Sequence, residues 1–312
     1  MPKLLILDRQ AAIYHQYIRE AGLGELEVLE GSDPLALPEG AELAQIALGP
    51  PDLLARALPA LPALRWAQST WAGVEPLLNS DLPRNYLLSG VKGIFGKQMA
   101  EYCLCYMLAH ERRVIERYRS QQLGMWQHDK PGKLAGKHVV LLGLGSIGAE
   151  IAVRCQQFGM TTTGVTMSGR PSEHVDACFP VRQLPDVAAS ADYLVMSLPG
   201  TPSTRHLVDA KVLSAMPQHA VLINVGRGQS LDEKALDAAL RAGSLGGAVL
   251  DVFESEPLPP GHLLWSTPRL QISSHTAAVS YVEDIAPLFM ANLERFLGGL
   301  APDFLVDFER GY

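Results

Sequence analysis

One stretch decides the fold: His138-Val-Val-Leu-Leu-Gly143-Leu-Gly145-Ser-Ile-Gly148-Ala-Glu-Ile-Ala-Val-Arg154. An apolar run that suits a buried strand leads into glycines spaced G-x-G-x-x-G, and an amphipathic helical pattern follows. In that context the glycines allow a tight turn, a close approach of pyrophosphate to the backbone, and close packing of the helix on the strand. The stretch predicts a dinucleotide site with the phosphates at the helix N-terminus. A structural glycine turn and an S-adenosylmethionine site are the alternatives.

Short apolar runs recur along the chain, separated by segments with helical periodicity. Alternation of this kind favours parallel strands joined by crossovers, because a parallel pair needs a long return connection. The sequence therefore predicts an α/β fold with doubly wound parallel sheets. Strands are expected at Leu4–Leu7, Ile46–Leu48, Leu64–Ala67, Val139–Leu142, Thr161–Thr166, Tyr193–Met196, Val221–Val225, Ala248–Leu250 and Leu270–Ile272.

Three helices can be placed from their patterns. Ser230 and Glu233 form a capping box for a helix that Gly243 ends. Residues 99–121 are predicted as one helix, apolar nearly all round at first and charged later. Such a helix is buried at an interface between domains or subunits, or it is a core helix with a solvated tail. A final apolar helix is expected over Ile285–Leu297.

The length predicts two domains. The chain has 312 residues, of which 47% are hydrophobic and 19% charged, and domains typically contain about 100–200 residues. A turn-rich stretch at Asn79–Gly96 and a second break near Ser280 mark the boundaries. We expect one domain from residues 1–93 plus 281–312, and another from residues 94–280.

The charge and the cysteines limit the partners. A net charge of −7, spread without long runs, argues against nucleic acid or an anionic membrane surface as a partner. The four cysteines lack the spacing of a disulfide framework or a zinc site, so we expect no metal and a cytoplasmic location with reduced thiols. The apolar run Lys3–Asp8 is too short for a signal peptide, and no stretch reaches transmembrane length.

The segment after the second strand of the dinucleotide-binding pattern bears on the choice of cofactor. NAD-binding proteins place an acid roughly 20 residues past the loop, where it binds the ribose hydroxyls. Here the segment reads Thr166-Met-Ser168-Gly-Arg170, and no acid occurs before Glu173. Ser168 can donate to a 2′-phosphate and Arg170 can pair with it. The sequence therefore predicts NADP(H) in preference to NAD(H), the alternative being that Arg170 is a solvated turn residue.

Three later segments place reactive side chains directly after predicted strands. They are Asn224–Gly228, Asp251–Pro257 and Ser273–Ala278. Ligands of doubly wound sheets bind at the carboxyl ends of the strands. We therefore expect these segments to converge on the nicotinamide.

At this point the chain resembles the D-isomer-specific 2-hydroxyacid dehydrogenase family over nearly its whole length. The resemblance implies two Rossmann-like domains, of which a flavodoxin-like substrate domain is completed by the C-terminal helix and interrupted by the inserted cofactor domain. It also implies a homodimer, which we place at the region of residues 99–121. The matching segments are Ala72–Glu75, Ala100–Tyr102, Gly124–Trp126, the glycine loop, Leu198–Pro199 with Thr204, Asn224–Gly228, Asp251–Pro257 and His275.

Carried over by position, the resemblance implies that His275 is the acid/base, that Glu256 is its partner and that Arg227 anchors the substrate. An imidazolium suits proton donation to a carbonyl oxygen, and a guanidinium suits a carboxylate. Ala72 and Gly73 would bind the substrate carboxylate, while Trp71 would narrow the pocket or pack beneath the loop. The residues expected at the cofactor are Gly143, Gly145, Ser146, Ile147, Gly148, Ser168, Arg170, Leu198, Pro199, Thr204, Val225, Gly226, Asp251 and His275.

The resemblance further implies reduction of a small 2-oxo acid, such as glyoxylate or hydroxypyruvate, to a D-2-hydroxy acid. Three alternatives differ in class: a dinucleotide-sensing corepressor on the same fold, a methyltransferase, and a dehydrogenase of a bulkier or phosphorylated substrate. Ser274 stands where many relatives have proline, which leaves the shape of that loop open. We expect Glu254 to be solvated, and His206 and His262 to be surface or structural residues.

Overall fold

The structure is a computed structural model that describes residues 1–23 and 25–311. The chain forms two compact units. The first unit comprises Met1–Ile94 and Ser280–Tyr312, and the second comprises Phe95–Val279. In sequence, the second unit is therefore inserted into the first.

The first unit contains a parallel sheet of five strands in the order β2-β1-β3-β4-β5, which is the flavodoxin-like order. The last helix belongs to this unit, because its Phe289 stacks on the fully buried Trp66 of β4 with 5.5 Å between ring centroids. The elements of the unit are β1 (Lys3–Leu7), α1 (Ala11–Ala21), β2 (Glu27–Gly31), β3 (Ile46–Gly49), α2 (Pro51–Ala57), β4 (Trp66–Ser69), β5 (Leu87–Ser89) and α9 (Val282–Leu297).

The second unit contains a parallel sheet of seven strands in the order β12-β11-β10-β9-β6-β7-β8. This is the strand order of the dinucleotide-binding fold with one more strand at an edge. Its elements are α3 (Gly96–Glu111), α4 (Val114–Gln122), β6 (His138–Leu142), α5 (Ser146–Gln157), β7 (Thr161–Thr166), β8 (Ala177–Pro180), α6 (Leu184–Ala188), β9 (Tyr193–Met196), α7 (Ala210–Ala215), β10 (Val221–Asn224), α8 (Glu233–Ala242), β11 (Gly247–Leu250) and β12 (Leu270–Ile272). The predicted α/β fold with two parallel sheets is confirmed.

The predicted strands are all present, and their bounds differ by at most two residues from the expected ones. Strands β2, β5 and β8 were not predicted. The prediction for β4 ended too early, because this strand continues through Gln68 and Ser69, which are both fully buried. The Gln68 amide donates to the carbonyl oxygens of Ser69 and Gly90, so burial does not leave it unsatisfied.

The prediction of one helix over residues 99–121 is wrong. The segment forms α3 and α4, and Arg113 between them adopts a left-handed backbone with φ of 54°. Helix α3 buries Ala100, Cys103 and Met107 in the core of the second unit. The break follows the point at which the apolar residues end, and Arg113 pairs there with Asp129 at 2.6 Å. Within its own unit, α3 is therefore a core helix and α4 is the solvated part.

The predicted capping box of helix α8 is also wrong. Asp232 is the N-cap, and its carboxylate accepts from the N–H groups of Lys234 and Ala235. Ser230 instead lies in a short 3-10 turn, where its hydroxyl donates to the Arg227 carbonyl oxygen at 2.7 Å. Gly243 ends the helix in the left-handed region, as predicted, with φ of 74°. Helix α9 begins at Val282 and not at Ile285.

Among residues 1–23 and 25–311, none of the helices has the length and apolar content that crossing a membrane requires.

Candidate active site

The glycine loop lies at the point of the second sheet where the chain reverses its direction of winding. The loop follows β6, and Ser197 follows the adjacent strand β9. In doubly wound sheets, ligands bind outside the carboxyl ends of the strands at such a switch point. The Ser197 hydroxyl donates to the Gly143 carbonyl oxygen at 3.1 Å, which joins the two strand ends. The crevice between β6 and β9 is therefore the candidate cofactor site.

Each of the three glycines has a different reason to be glycine. Gly143 has φ of 101°, a conformation that favours glycine. A Cβ on Gly148 would lie 2.0 Å from the Gly143 carbonyl oxygen, so this position needs glycine for packing. Gly145 has neither constraint: its φ is −68°, and no described atom lies within 4 Å of a Cβ placed there. The free space beside Gly145 fits the approach of a pyrophosphate.

The N-terminus of helix α5 offers donors to that space. The helix begins at Ser146, and within the described part of the chain no side chain caps it. Ser146 is exposed and Ile147 half-buried. The first N–H groups of a helix carry partial positive charge and bind anions. The residues present thus fit a dinucleotide phosphate, which Ser146, Ile147 and the backbone beside Gly145 would hold.

The candidate 2′-phosphate residues lie at the carboxyl end of β7. Ser168 and Arg170 are exposed, and the Arg170 N–H donates to the Ser168 hydroxyl at 3.4 Å. The register of the sheet pairs Thr166 with Pro180 of β8. Arg182 follows two residues later and is also exposed. A role for Arg182 was not predicted, because the third strand of this unit was not predicted.

Of the residues expected at the cofactor after β9, Leu198 and Pro199 form the turn itself. Thr204 is buried, and its hydroxyl donates to the Pro199 carbonyl oxygen at 2.8 Å. The Thr204 hydroxyl also accepts from the Thr201 N–H at 3.0 Å. Thr204 therefore holds the shape of this turn, and its contact with cofactor stays a prediction.

Arg227 is positioned by the turn after β10. Asn224 is fully buried, accepts from the Gly226 N–H at 3.1 Å and donates to the Arg227 carbonyl oxygen at 3.2 Å. Gly226 is also required by packing, because a Cβ there would lie 2.7 Å from the Leu198 N. The Arg227 side chain is half-buried, and its Nη1 donates to the Gly226 carbonyl oxygen at 2.8 Å. Val225 is buried in the sheet core and offers only backbone to a ligand.

His275 and Glu256 form a hydrogen-bonded pair. The distance from His275 Nδ1 to Glu256 Oε2 is 2.7 Å, and the other carboxylate oxygen accepts from the Phe253 N–H at 2.9 Å. An ionised carboxylate accepts only, so His275 carries its proton on Nδ1. The imidazole is 51% exposed and can therefore be reached by a small molecule. The predicted partnership of these two residues is present in the geometry.

The pair changes the pKa of both members. The hydrogen bond to Glu256 raises the pKa of His275 above its usual value, which outweighs partial burial and the nearby charge of Arg227. Burial alone would raise the pKa of Glu256, but the hydrogen bonds from His275 and from the Phe253 N–H lower it. The geometry therefore favours an imidazolium paired with a carboxylate near neutral pH.

Asp251 holds the segment that carries His275. Its carboxylate is 1% exposed and accepts from the Ser273 hydroxyl at 2.6 Å, the Thr276 N–H at 2.8 Å and the Ala277 N–H at 3.0 Å. Its carbonyl oxygen accepts from the His275 N–H at 2.8 Å. These bonds are all internal to the protein. The predicted contact of Asp251 with cofactor stays a prediction.

The loop that carries Glu256 is supported by contacts that were not predicted. Glu254 is not simply solvated: its Oε1 lies 2.6 Å from His206 Nε2 and 3.1 Å from Arg205. The Glu254 N–H donates to Glu233 of helix α8 at 2.8 Å, and the other oxygen of Glu233 lies 3.6 Å from His262. His206 and His262 therefore contact the carboxylates of Glu254 and Glu233, which support the Glu256 loop.

The residues expected to bind substrate in the first unit lie in the loop after β4. The Ser69 hydroxyl donates to the Trp71 carbonyl oxygen at 2.9 Å and accepts from the Trp71 N–H at 3.0 Å, which fixes the start of that loop. The Trp71 side chain is 45% exposed, so it is not packed beneath the loop. Ala72 is exposed and Gly73 half-buried. Substrate binding by these residues stays a prediction.

In the described part of the chain, no three His, Cys, Asp or Glu side chains are grouped so that they could hold a metal ion. The four cysteines carry free thiols.

Comparison with known proteins decides the family. The sequence profile of the "D-isomer specific 2-hydroxyacid dehydrogenase, NAD binding domain" matches residues 104–277. The chain belongs to the D-isomer specific 2-hydroxyacid dehydrogenase family. Its membership confirms the predicted resemblance and the prediction of an NAD(P)-dependent oxidoreductase, and it excludes the methyltransferase alternative.

The chain is similar to individual members of the family in sequence and in structure. A glyoxylate/hydroxypyruvate reductase A of Yersinia enterocolitica is 34% identical over 69% of this chain and 69% of its own length. A family member from Aeromonas salmonicida has a crystal structure with a TM-score of 0.94 and 37% identity, covering 98% of this chain and 99% of that chain. An NADPH-dependent glyoxylate/hydroxypyruvate reductase of Sinorhizobium meliloti, solved with NADP and sulfate, gives a TM-score of 0.86 and 27% identity over the whole of both chains.

Proposed function

We propose that this dehydrogenase uses NADPH to reduce a small 2-oxo acid, such as glyoxylate or hydroxypyruvate, to the D-2-hydroxy acid. The observation that carries the proposal is the 2.7 Å pair of His275 and Glu256 at the carboxyl edge of the dinucleotide-binding sheet. The Yersinia and Sinorhizobium relatives carry names of this activity, which supports the substrate class. The pair also favours an enzyme over a corepressor, because binding of a dinucleotide alone requires no acid/base.

His275 supplies the proton. Bound NADPH supplies a hydride to the carbonyl carbon of the 2-oxo acid. Because Nδ1 of His275 is hydrogen-bonded to Glu256, Nε2 is the nitrogen that donates a proton to the carbonyl oxygen of the substrate. Glu256 keeps the ring protonated and orients it, and the raised pKa of His275 maintains the donor near neutral pH. In the reverse direction the same nitrogen accepts the proton.

Arg227 supplies the anion anchor. The turn stabilised by Asn224 presents a guanidinium at the end of β10, and β10 and β11 are neighbours in the sheet. A guanidinium binds a carboxylate through two parallel hydrogen bonds and stabilises negative charge on the carbonyl oxygen. We also assign substrate binding to Trp71, Ala72 and Gly73, and the N–H groups of Ala72 and Gly73 suit a carboxylate.

The preference for NADP(H) is supported by charge at the end of β7. Arg170 and Arg182 are exposed cations at the carboxyl ends of two neighbouring strands, and Ser168 adds a hydroxyl. No acid lies between Thr166 and Glu173, so nothing in that segment repels a 2′-phosphate. The Sinorhizobium relative was solved with NADP.

We further propose a homodimer in the cytoplasm. Helix α4 and the segment after it expose several large apolar side chains, and exposed apolar patches of this kind mark protein interfaces. Trp126 is 88% exposed. A second copy of the chain is the expected occupant, and Trp126→Ala should weaken the dimer in sedimentation velocity. The other exposed large apolar side chains of α4 and the segment after it are those of Val114, Ile115, Tyr118, Leu123 and Met125.

The test of the function is an assay at 340 nm with glyoxylate, hydroxypyruvate, pyruvate, phenylpyruvate and 2-oxoisocaproate, each with NADPH and with NADH. We expect turnover of the small acids, a higher kcat/KM with NADPH, and a loss of kcat of about 10²–10⁴ in His275→Ala with unchanged NADPH affinity. Turnover only of phenylpyruvate and 2-oxoisocaproate would refute the small substrate and support a dehydrogenase of bulkier 2-oxo acids. NADPH binding without turnover of any acid would refute the proposal and favour the corepressor.

A further inference from the structure

The hydrogen bonds around His275 extend beyond Asp251 to a tyrosine on helix α3. The Tyr102 hydroxyl lies 2.5 Å from the Ser273 hydroxyl, and Ser273 lies 2.6 Å from the Asp251 carboxylate. Neither the family comparison nor the proposed mechanism gives Tyr102 a role. Its position at the end of this chain of hydrogen bonds calls for one.

The direction of the bonds follows from the chemistry of the groups. A carboxylate accepts only, so the single hydrogen of the Ser273 hydroxyl points to Asp251. The Ser273 oxygen then accepts, and Tyr102 must donate to it. Burial raises the pKa of Tyr102 well above its usual value, so the phenol keeps this proton throughout the working pH range. The order is therefore Tyr102 to Ser273 to Asp251.

The Asp251 end of this hydrogen-bond series holds the backbone around His275 in an uncommon conformation. His275 has φ of 55°, in the left-handed region that residues other than glycine adopt uncommonly. Asp251 accepts from the Thr276 and Ala277 N–H groups directly after it, and the His275 N–H donates to the Asp251 carbonyl oxygen. An uncommon backbone conformation persists only where its surroundings hold it. The segment from Ser273 to Ala277 is held in this way by Asp251.

We propose that Tyr102 is a positioning residue for the reaction: by donating to Ser273 it holds Asp251 and the His275 backbone in the one arrangement that pairs the imidazole with Glu256. The proposal rests on the proposed function only for its activity readout. The charged groups that act on His275 are Glu256, Arg227 and Asp251. Of these, Glu256 and Arg227 are expected to stay in place when Tyr102 is changed.

The test uses the full-length protein and three conservative variants. Tyr102→Phe removes the donor, Ser273→Ala removes the link, and Ser273→Thr restores a hydroxyl at the link. The matched control is Tyr193→Phe, which removes another tyrosine hydroxyl of the same unit, one that donates to Glu111 at 2.8 Å. The readouts are the melting temperature, kcat against pH, and an NMR titration of the His275 imidazole, assigned by comparison with His275→Ala.

We expect Tyr102→Phe to lower kcat about two- to tenfold, the range of one net hydrogen bond, and to lower the pKa of His275 toward its usual value. Tyr193→Phe should change the melting temperature only. Ser273→Thr should behave as wild type, and the double variant Tyr102→Phe/Ser273→Ala should lose no more activity than Ser273→Ala, because both act through one chain.

A Tyr102→Phe variant that melts earlier but has an unchanged His275 titration would overturn the proposal. Multiplying effects of Tyr102→Phe and Ser273→Ala would overturn it as well. Because the titration needs no turnover, a shifted titration in a protein that reduces none of the 2-oxo acids would refute the proposed function and support the positioning role.

Discussion

Removing the charge of Glu256 should move the pH range in which the enzyme reduces its substrate. In Glu256→Gln the side chain keeps its size and can still accept from the Phe253 N–H, but the charge opposite His275 is lost. A hydrogen bond to a charged group contributes about 1.5–3 kcal/mol when buried. Here the two side chains are 51% and 35% exposed, so solvent screening reduces the expected contribution to roughly 1 kcal/mol, or roughly fivefold in the protonation equilibrium.

The sign of the effect follows from the two pKa directions. The pKa of His275 is raised, so the stabilisation of the pair is complete below the usual histidine pKa and is lost as the pH rises through the raised one. The pKa of Glu256 is lowered, so the stabilisation that its carboxylate gives to the pair is lost only as the pH falls through this lowered pKa. Reduction needs the imidazolium. Glu256→Gln should therefore lower kcat/KM roughly fivefold at pH 8.5 and less than about twofold at pH 5.5.

The chain offers a close control in the same loop. Glu254→Gln also removes a carboxylate paired with a histidine at 2.6 Å, but its partner is His206 and not His275. The assay is NADPH oxidation at 340 nm between pH 5 and 9.5, with the 2-oxo acid well below its KM so that the rate reports kcat/KM. The basic limb should move to lower pH in Glu256→Gln and stay in Glu254→Gln. A basic limb that is unchanged in the first variant, or moved equally in both, would refute the reasoning.

Three further predictions concern the cofactor and the fold. Gly145→Ala should melt within about 2 °C of wild type but lose NADPH affinity, because its methyl group fills only the space for the ligand. Gly148→Ala should lower the free energy of unfolding by at least about 3 kcal/mol, because its Cβ would overlap the Gly143 carbonyl oxygen. Equal losses of affinity in the two variants, without a difference in denaturant midpoint, would contradict this prediction. Arg170→Ala should raise the KM for NADPH about tenfold and leave that for NADH nearly unchanged, and a parallel rise for both cofactors would show that Arg170 does not bind the 2′-phosphate. Asp232→Ala should reduce the free energy of unfolding by about 1 kcal/mol through loss of the helix cap. A larger loss for Ser230→Ala than for Asp232→Ala in a urea titration would show that Ser230 caps the helix after all.

The sequence revealed the central strands of both sheets but not all of the edges. Apolar runs mark strands that are covered on both faces, and β1, β3 and β9 are of this kind. Strands β2 and β8 are edge strands with mostly half-exposed residues, so their composition carries no such signal. Strand β5, the other edge of the first sheet, has only three residues. Edge strands of this type are assigned by pairing, which a single sequence does not display.

Local sequence patterns predicted the residues of the site but not the contacts that hold those residues in place. The glycine loop and the order of Arg227, Glu256 and His275 follow from motif and resemblance. The contacts of Glu254 with His206 and of Glu233 with His262 join residues far apart in sequence. The bond between Tyr102 and Ser273 spans 171 positions. Contacts of that separation depend on how helices pack on the sheet, and no spacing rule predicts them.

The insertion of one unit into the other sets the order in which the protein can fold during synthesis. The second unit is contiguous, so all of its strands are available once Val279 has been made. The first unit is begun earlier but needs α9 to cover Trp66, and it needs Asn292 to accept a hydrogen bond from the Asp303 N–H and to donate to Gln68. Domains usually fold as units and in chain order. During synthesis the second unit is therefore complete while the first still lacks its last helix, so the nascent N-terminal segment is the part whose apolar surface stays exposed longest.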